Sequence, residues 1–264
     1  MSGKRWIQPR KIKEGLKTEF IGQELHHFAE VTSTNDVAKE LAKKGAEEGT
    51  VVVSETQTRG RGRLGRTWVS PQGGMWFSIV LRPRVNPKEA SKVTFVAAVA
   101  VAQAIRKILE LDARIKWPND VLIGGKKVCG ILTETSTKDE VVDFVVVGIG
   151  INANVSRDAF PERLSNPPTS LKAERMVEIA REEFLCAVLE EVERYYTILV
   201  RENFDLILGE WRRLASFLGQ CVEVVSFGET IRGRAVDVDS DGALIVKLPD
   251  GRIKKMMTGD VTVE

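Results

Sequence analysis

The run Thr50-Val-Val-Val-Ser54 leads into Arg59-Gly-Arg-Gly-Arg-Leu-Gly-Arg66, and Met75-Trp-Phe-Ser-Ile-Val-Leu81 follows. The first and last runs are rich in β-branched and apolar residues, so they predict two buried strands. Residues 58–66 contain three glycines and four arginines, a composition that excludes regular structure and predicts a connecting loop. We call residues 58–66 the arginine loop.

The arginine loop has the chemistry of an anion-binding segment. Its glycines let backbone N–H groups approach a ligand closely, and its arginines offer forked donors suited to carboxylates and phosphates. The alternative is a solvated basic segment of the RGG type. We favour a mobile loop that cradles an anion because two apolar strands of a compact domain flank it.

The remaining periodicities predict several helices and further strands. The first helix is expected after Ser33, Thr34 and Asn35, which are good N-cap types, and should end at Gly45. Helices are predicted at Asp36–Lys44, Lys88–Leu111 and Glu174–Val200. Further strands are predicted at Ile115–Pro118, in a hairpin over Val121–Thr133 that turns at Gly124-Gly125, and at Asp143–Ile151 in the centre of the sheet.

After Trp211 the sequence changes to short alternating runs separated by turn pairs such as Asp241-Gly242 and Asp250-Gly251. This pattern of short strands and tight turns predicts a small β-barrel, at the lower end of the size range of domains that fold on their own. We place the boundary near Leu218. The expected domains are residues 1–217, with a lead segment at 1–27, and residues 218–264.

Two further motifs suggest a site, although each has a simpler explanation. In Lys116-Trp-Pro-Asn-Asp120, with Lys127 nearby, a strand ends beside two lysines and a carboxylate. Such a group suits phosphate binding with a divalent cation, but taken alone it is more typical of a surface turn. The glycines of Val147-Gly-Ile-Gly-Ile-Asn152 could serve only close packing, because no helix follows as a dinucleotide fingerprint requires.

Composition disfavours several classes of function. The formal net charge of +2 gives no overall reason to expect a nucleic-acid-binding protein. The two histidines, His26 and His27, are adjacent near the N-terminus, where we expect a surface role, so catalysis by a His-activated nucleophile is disfavoured. What remains is a mechanism based on positioning and electrostatics.

The cysteines and the apolar runs indicate a compartment. Cys129, Cys186 and Cys221 are odd in number and far apart, which fits a reducing compartment, and no CxxC or HxxxH spacing suggests zinc. The basic N-terminus has no apolar signal-peptide run, and no apolar stretch is long enough to span a bilayer. We expect a cytoplasmic protein.

Taken together, the motifs resemble the catalytic core of the biotin–protein ligases. The matching elements agree in order and spacing, from about Phe28 to the C-terminus: Ser33-Thr-Asn35, Gln57, Gly60–Arg66 with Trp68, Lys116–Asp120, Lys127 with Gly130, and Gly148–Asn152. The resemblance implies an α/β fold of the α+β type. In that fold a class II synthetase-like core, with a mixed β-sheet flanked by helices, precedes an SH3-like barrel.

The resemblance also implies roles for individual residues. Biotin would be bound by Ser33, Thr34, Asn35, Gln57, Gly60, Arg61, Gly62, Arg63, Lys127 and Gly130. ATP would be bound by Arg61, Arg63, Arg66, Trp68, Lys116, Asn119 and Asn152. Catalytic roles would fall to Arg63, Lys116, Asp120 and Lys127, with Asp120 as the partner of an incoming lysine ammonium.

The implied activity is that of an ATP-dependent ligase that forms biotinyl-5′-AMP and transfers biotin to a lysine of a biotin carboxyl carrier protein. Biotin is a substrate, Mg²⁺ arrives with ATP, and no permanent metal site is expected. The family expectation is a homodimer. About thirty residues precede Ser33, too few for the DNA-binding domain of some members, so we expect a stand-alone ligase that binds neither DNA nor membranes.

Two alternatives remain open at this stage. A lipoate–protein ligase uses the same superfamily fold and adenylate chemistry, but the Gly60–Arg66 loop and the Lys116–Asp120 motif favour biotin. A nucleic-acid-binding protein could use the arginine loop and the small barrel, and its affinity would fall steeply with salt.

Overall fold

The computed structural model describes residues 6–161, 167–201 and 203–263. The first five residues of the predicted lead segment and the last residue of the predicted C-terminal domain lie outside the described residues. No helix in the described part of the chain is long and apolar enough to cross a membrane.

A seven-stranded mixed sheet forms the centre of the molecule. Its strands are β1 (Leu25–Val31), β2 (Val51–Gln57), β3 (Met75–Leu81), β4 (Ala113–Lys116), β5 (Asp120–Ile123), β6 (Lys126–Lys138) and β7 (Val141–Ile151). The order is β1-β2-β3-β7-β6-β5-β4. Strands β1 and β2 are parallel, and all other neighbours are antiparallel. Strand β7 therefore lies in the middle, as its valine and isoleucine content predicted.

Helices cover both faces of the sheet. They are α1 (Pro9–Gly15), α2 (Thr34–Lys43), α3 (Lys92–Leu109), α4 (Leu171–Arg175), α5 (Arg181–Arg201) and α6 (Phe204–Leu214). Alternate residues of β2 show the two faces: Val52 packs with Ala38 and Ala42 of α2, whereas Val51 and Val53 belong to the larger core with α3 and α5. The predicted fold class is confirmed.

The prediction of one continuous helix at Glu174–Val200 is wrong. Helix α4 ends where Met176 adopts a left-handed conformation with φ of 61°, and α5 begins only at Arg181. Asn154 fixes the intervening segment, because its side chain accepts from Ile179 N at 2.8 Å and donates to Ile179 O at 2.9 Å. A tertiary contact thus interrupts an amphipathic pattern.

The C-terminal part is a five-stranded antiparallel sheet. Its strands are β8 (Cys221–Ser226), β9 (Glu229–Val238), β10 (Leu244–Lys247), β11 (Ile253–Met256) and β12 (Asp260–Val263), in the order β11-β10-β9-β8-β12. It packs on the first part of the chain through Trp117, between β4 and β5, whose Nε1 donates to Gly242 O at 3.0 Å, and through the ion pair of Arg212 of α6 with Asp237 of β9. The exact domain limits stay a prediction.

The buried carboxylate of Glu55 ties several elements together. This side chain of β2 is only 2% exposed and lies 2.9 Å from Arg181 of α5. It also lies 3.1 Å from His27 of β1 and accepts from Ile7 N at 2.6 Å. His27 therefore has a largely buried structural role, which corrects the expected surface role, whereas His26 contacts Glu24 in a more exposed position.

We predict that Glu55→Ala lowers the free energy of unfolding by about 3–5 kcal/mol, because it leaves the buried Arg181 without its carboxylate. Glu229→Ala is the control: it removes a surface pair with Lys254 and should cost less than about 1 kcal/mol. Urea titration followed by circular dichroism measures both. Equal losses in the two variants would contradict this role of Glu55.

Candidate active site

An open cleft lies against β6 and β7, beside the start of α2 and the arginine loop. The predicted residues that line it are Ser33, Thr34, Asn35, Gln57, Arg61, Gly62, Arg63, Arg66, Trp68, Asn119, Asp120, Lys127, Gly130 and Asn152. Gly60 and Lys116 are not among the lining residues, but each neighbours residues that are. Gly60 O accepts from Trp68 N at 2.9 Å, and Lys116 lies opposite Asp120 in the pairing of β4 and β5. The fold thus brings distant motifs into one cavity.

One end of the cleft is a network of neutral polar groups around the start of α2. Gln57 accepts from Thr34 N at 2.8 Å, so Gln57 stands in for the N-cap side chain of Ser33, which makes no capping bond. The Ser78 hydroxyl, which sequence reasoning missed, donates to Asn35 Oδ1 at 2.6 Å. Because these side chains are held by one another, they present fixed donors and acceptors to a ligand.

The floor of the cleft depends on glycine. Gly130 and Gly150 are directly opposite each other on β6 and β7, and the indole ring of Trp68 lies across both. A Cβ on Gly150 would come within 2.5 Å of Trp68 Nε1. On the same strand, a Cβ on Gly148 would come within 2.1 Å of Asn35 Oδ1. The glycines of this motif are therefore required for close approach of side chains to the sheet.

The other end of the cleft carries positive charge. Arg63 Nη2 donates to Thr258 Oγ1 at 2.5 Å and Arg63 Nη1 to Asn119 Oδ1 at 3.2 Å, while Arg66 pairs with Asp260. Burial lowers the pKa of Arg63. Burial alone would raise the pKa of Asp260, but Arg66 outweighs it and the pKa is lowered.

Asp260 of β12 and Thr258, in the turn before that strand, contact the loop from almost 200 positions away along the chain. No local sequence signal predicts such a contact.

Two lysines and a carboxylate complete the charged end. Lys127 Nζ lies 2.7 Å from Asp120 Oδ1, although the angle is not that of a hydrogen bond and this oxygen has no hydrogen-bond partner among the described residues. The same ammonium lies 5.1 Å from the Trp68 ring centre. Burial lowers the pKa of Lys116, and Asp120 opposes this effect. The Asp120 carboxylate is therefore in contact with the ammonium group of Lys127.

Asn152 offers a buried acceptor to the cleft. Its amide nitrogen donates to Thr169 O at 2.9 Å, whereas its buried Oδ1 has no hydrogen-bond partner in the described part of the chain. An unsatisfied buried acceptor is costly unless a ligand completes it. The described residues contain no group of three or more His, Cys, Asp or Glu side chains that could hold a metal ion.

Comparison with known proteins identifies the class to which this fold and cleft belong. Residues 27–152 match the Biotin/lipoate A/B protein ligase family, and residues 217–263 match the Biotin protein ligase C terminal domain. The chain is 37% identical to the biotin--[acetyl-CoA-carboxylase] ligase of Paracoccus denitrificans, over 85% of this chain and 95% of the relative. This chain belongs to the biotin protein ligase family.

Two other relatives agree. The bifunctional ligase/repressor BirA of Bacillus spizizenii is 38% identical over 97% of this chain and 78% of its own length. The biotin protein ligase of Aquifex aeolicus, solved in complex with biotin and ATP, superimposes with a TM-score of 0.77 at 31% identity. That match covers 92% of this chain and 99% of the Aquifex chain.

We predict that Asp260→Asn makes the arginine loop about two- to fivefold more sensitive to trypsin, because Arg66 loses a partner worth up to about 1 kcal/mol. Cleavage after Arg63 and Arg66 is followed by mass spectrometry. Asp250→Asn, which removes the exposed partner of Arg252 in the same sheet, should leave loop cleavage unchanged. Equal cleavage of the Asp260→Asn variant and the unchanged protein would show that the C-terminal sheet does not restrain the loop.

Proposed function

We propose that the protein attaches biotin to a lysine of a biotin carboxyl carrier protein by way of biotinyl-5′-AMP. One observation carries the proposal: a single cleft has neutral, fixed hydrogen-bonding groups at one end and a concentration of arginines and lysines at the other. That arrangement fits an uncharged ring system joined to a carboxylate, next to a polyphosphate. Membership of the biotin protein ligase family supplies the identity of both substrates.

The neutral end is assigned to the bicyclic ring of biotin. Ser33, Thr34, Asn35 and Gln57 offer short polar groups to its ureido group, and the loop backbone near Gly62 and the bare surface at Gly130 complete the pocket. A small number of placed polar groups in a partly apolar wall is the usual arrangement for such a ligand.

The charged end is assigned to ATP. Arg63 and Arg66 of the loop, with Lys116 and Lys127, supply positive charge for the phosphates. Arg61, which the resemblance also assigns to ATP, instead pairs with Asp36 and Glu134 beside Asn35. Trp68 offers a ring face, and Asn119 and Asn152 offer amide groups, of which the unpartnered Oδ1 of Asn152 is a ready acceptor.

The chemistry takes two balanced steps. A carboxylate oxygen of biotin attacks the α-phosphorus of ATP, the bond to the β-phosphate oxygen breaks, and pyrophosphate leaves. The lysine amine of the carrier then attacks the acyl carbon, AMP leaves with the bonding electrons, and the amine loses a proton. Lys127, Lys116 and Arg63 offset the negative charge that is crowded around the α-phosphate. Mg²⁺ bound to ATP supplies further charge neutralisation.

Asp120 is assigned to receive the carrier lysine. The contact of its side chain with the Lys127 ammonium at 2.7 Å supports this assignment, because it is a contact with an amine-derived cation. We propose further that the partner is a biotin carboxyl carrier protein and that the ligase forms a homodimer. The protein is also proposed to act in the cytoplasm and not to bind DNA. The cytoplasmic location is supported by Cys129, Cys186 and Cys221, which are all free thiols.

The decisive experiment is ATP–pyrophosphate exchange with biotin and with lipoate, measured side by side. Exchange with biotin alone is expected. Exchange with lipoate alone would make the protein a lipoate ligase, and exchange with neither acid, together with salt-sensitive binding of single-stranded DNA, would support the nucleic-acid alternative.

Lys127→Ala should slow biotin-dependent release of pyrophosphate about 100-fold, the usual loss when one electrostatic contact to a transition state is removed. Lys126→Ala is a matched control, because the neighbouring lysine faces Glu174 at 2.6 Å instead of Asp120. An unaltered first-step rate in Lys127→Ala would refute its assigned role.

Arg63→Ala should release biotinyl-5′-AMP about tenfold faster or more, since a charge-assisted hydrogen bond to the adenylate is lost. Free adenylate would then label accessible lysines without selectivity. Dissociation is measured by filtration of the preformed complex, with Arg59→Ala, an exposed arginine of the same loop, as the control. If both variants retain the adenylate equally, Arg63 does not hold it.

A further inference from the structure

Glu134 of β6 receives donors from two different parts of the cleft wall. Its Oε2 accepts from Asn35 Nδ2 at 2.7 Å and from Arg61 Nη2 at 2.8 Å, and its Oε1 accepts from Arg61 Nη1 at 3.2 Å. Lys39 of α2 also pairs with Oε1. The carboxylate therefore joins the start of α2 to the arginine loop, although it does not itself line the cleft.

The surroundings keep this carboxylate charged and ordered. Its side chain is 21% exposed. Burial alone would raise its pKa, but the bonds from Lys39 and Asn35 outweigh burial and the pKa is lowered. Asp36 extends the group, because it lies 2.7 Å from Arg61. A carboxylate shared by a bidentate guanidinium and an amide is more specific in geometry than an isolated surface ion pair.

The contact with Glu134 determines what Asn35 offers to a ligand. An amide has two N–H donors and one oxygen with two lone pairs. Both donors of Asn35 are used inside the protein, one on Glu134 Oε2 and one on Leu132 O at 3.2 Å. Its oxygen accepts only one bond, from Ser78, in the described part of the chain. Asn35 is thus held with an acceptor left for the cleft, which suits a ureido N–H.

We propose that Glu134 is a positioning residue that fixes Asn35 as a hydrogen-bond acceptor for biotin and restrains the arginine loop through Arg61. The proposal rests on the proposed function, because biotin is the ligand whose N–H group Asn35 would receive. Glu134 contacts no substrate and acts through these two residues.

The first test measures biotin affinity by calorimetry in the 264-residue chain. Glu134→Gln keeps the size of the side chain but removes its charge and one acceptor oxygen. It should weaken biotin binding about tenfold and speed release of biotinyl-5′-AMP. Glu40→Gln, on the exposed face of α2 and paired only with Lys43 among the described residues, is the matched control and should change neither value.

The second test separates positioning from general stability by reciprocal substitution. Asn35→Asp places two carboxylates against each other and should reduce biotin affinity more than Glu134→Gln does. The double variant, Asn35→Asp with Glu134→Gln, restores an amide donor between the two positions and should bind biotin about tenfold more tightly than Asn35→Asp alone. A general loss of stability would not be reversed by adding a second substitution of this kind. The recovery of biotin affinity therefore tests positioning even if the variants differ in melting temperature.

The outcomes distinguish the two proposals. If the unchanged protein binds no biotin, the proposed function fails. If it binds biotin and Glu134→Gln binds equally well, or the double variant recovers nothing, the positioning role is overturned while the ligase function stands.

Discussion

The site depends on a bare patch of β-sheet. Gly130 and Gly150 are paired on adjacent strands, and Gly148 lies two residues before Gly150 on the same face of the central strand, so no side chain rises from the sheet at these points. Trp68 and Asn35 occupy that space at distances that leave no room for a Cβ. Their positions in turn set the floor and one wall of the cleft.

Positive charge is concentrated next to this patch, where Lys127 Nζ lies 5.1 Å from the Trp68 ring centre. Arginines of a glycine-rich loop and lysines of β4 and β6 converge there. Asp260 of β12 and Thr258 in the turn before it hold two of the arginines. Cys129, which lies beneath the site, is fully buried and its thiol pKa is raised, so it is unsuited to act as a nucleophile. The architecture fits catalysis by placement and by stabilisation of negative charge.

Local patterns in the sequence were sufficient to predict secondary-structure elements whose buried residues form a continuous run or stripe. Strand β3 was predicted residue for residue because Met75–Leu81 is buried throughout, and α2 was predicted because its apolar stripe lies between cap residues and a glycine. Strand β1, at the edge of the sheet, was not predicted. Its two histidines and its partial exposure obscure the alternation of apolar and polar residues that is typical of a strand. Helix α6 and strand β12 were also missed, although Val261 and Val263 carry the alternating signal.

The candidate site likewise contains residues that local motifs predicted and residues that they did not. The motifs that line the cleft were found from order and spacing, and the anion-binding character of Arg63 follows from its side chain and its glycine neighbours. Their ligand came from resemblance, because the residues alone indicate only an anion. Glu134 and Asp260 were not found, since each matters through contacts with residues 73 or more positions away along the chain. Such contacts depend on tertiary packing, which periodicity does not encode.

The most direct measurement of the central claim is the affinity of Gly148→Ala for biotin, by calorimetry. The added methyl group must displace Asn35, so binding should weaken about 100-fold, as expected for a misplaced contact group, while circular dichroism stays unchanged. Gly209→Ala adds the same methyl group to α6, where nothing lies within 4 Å, and should bind biotin as the unchanged protein does. Wild-type affinity in Gly148→Ala would contradict the claim that the bare glycine patch builds the site.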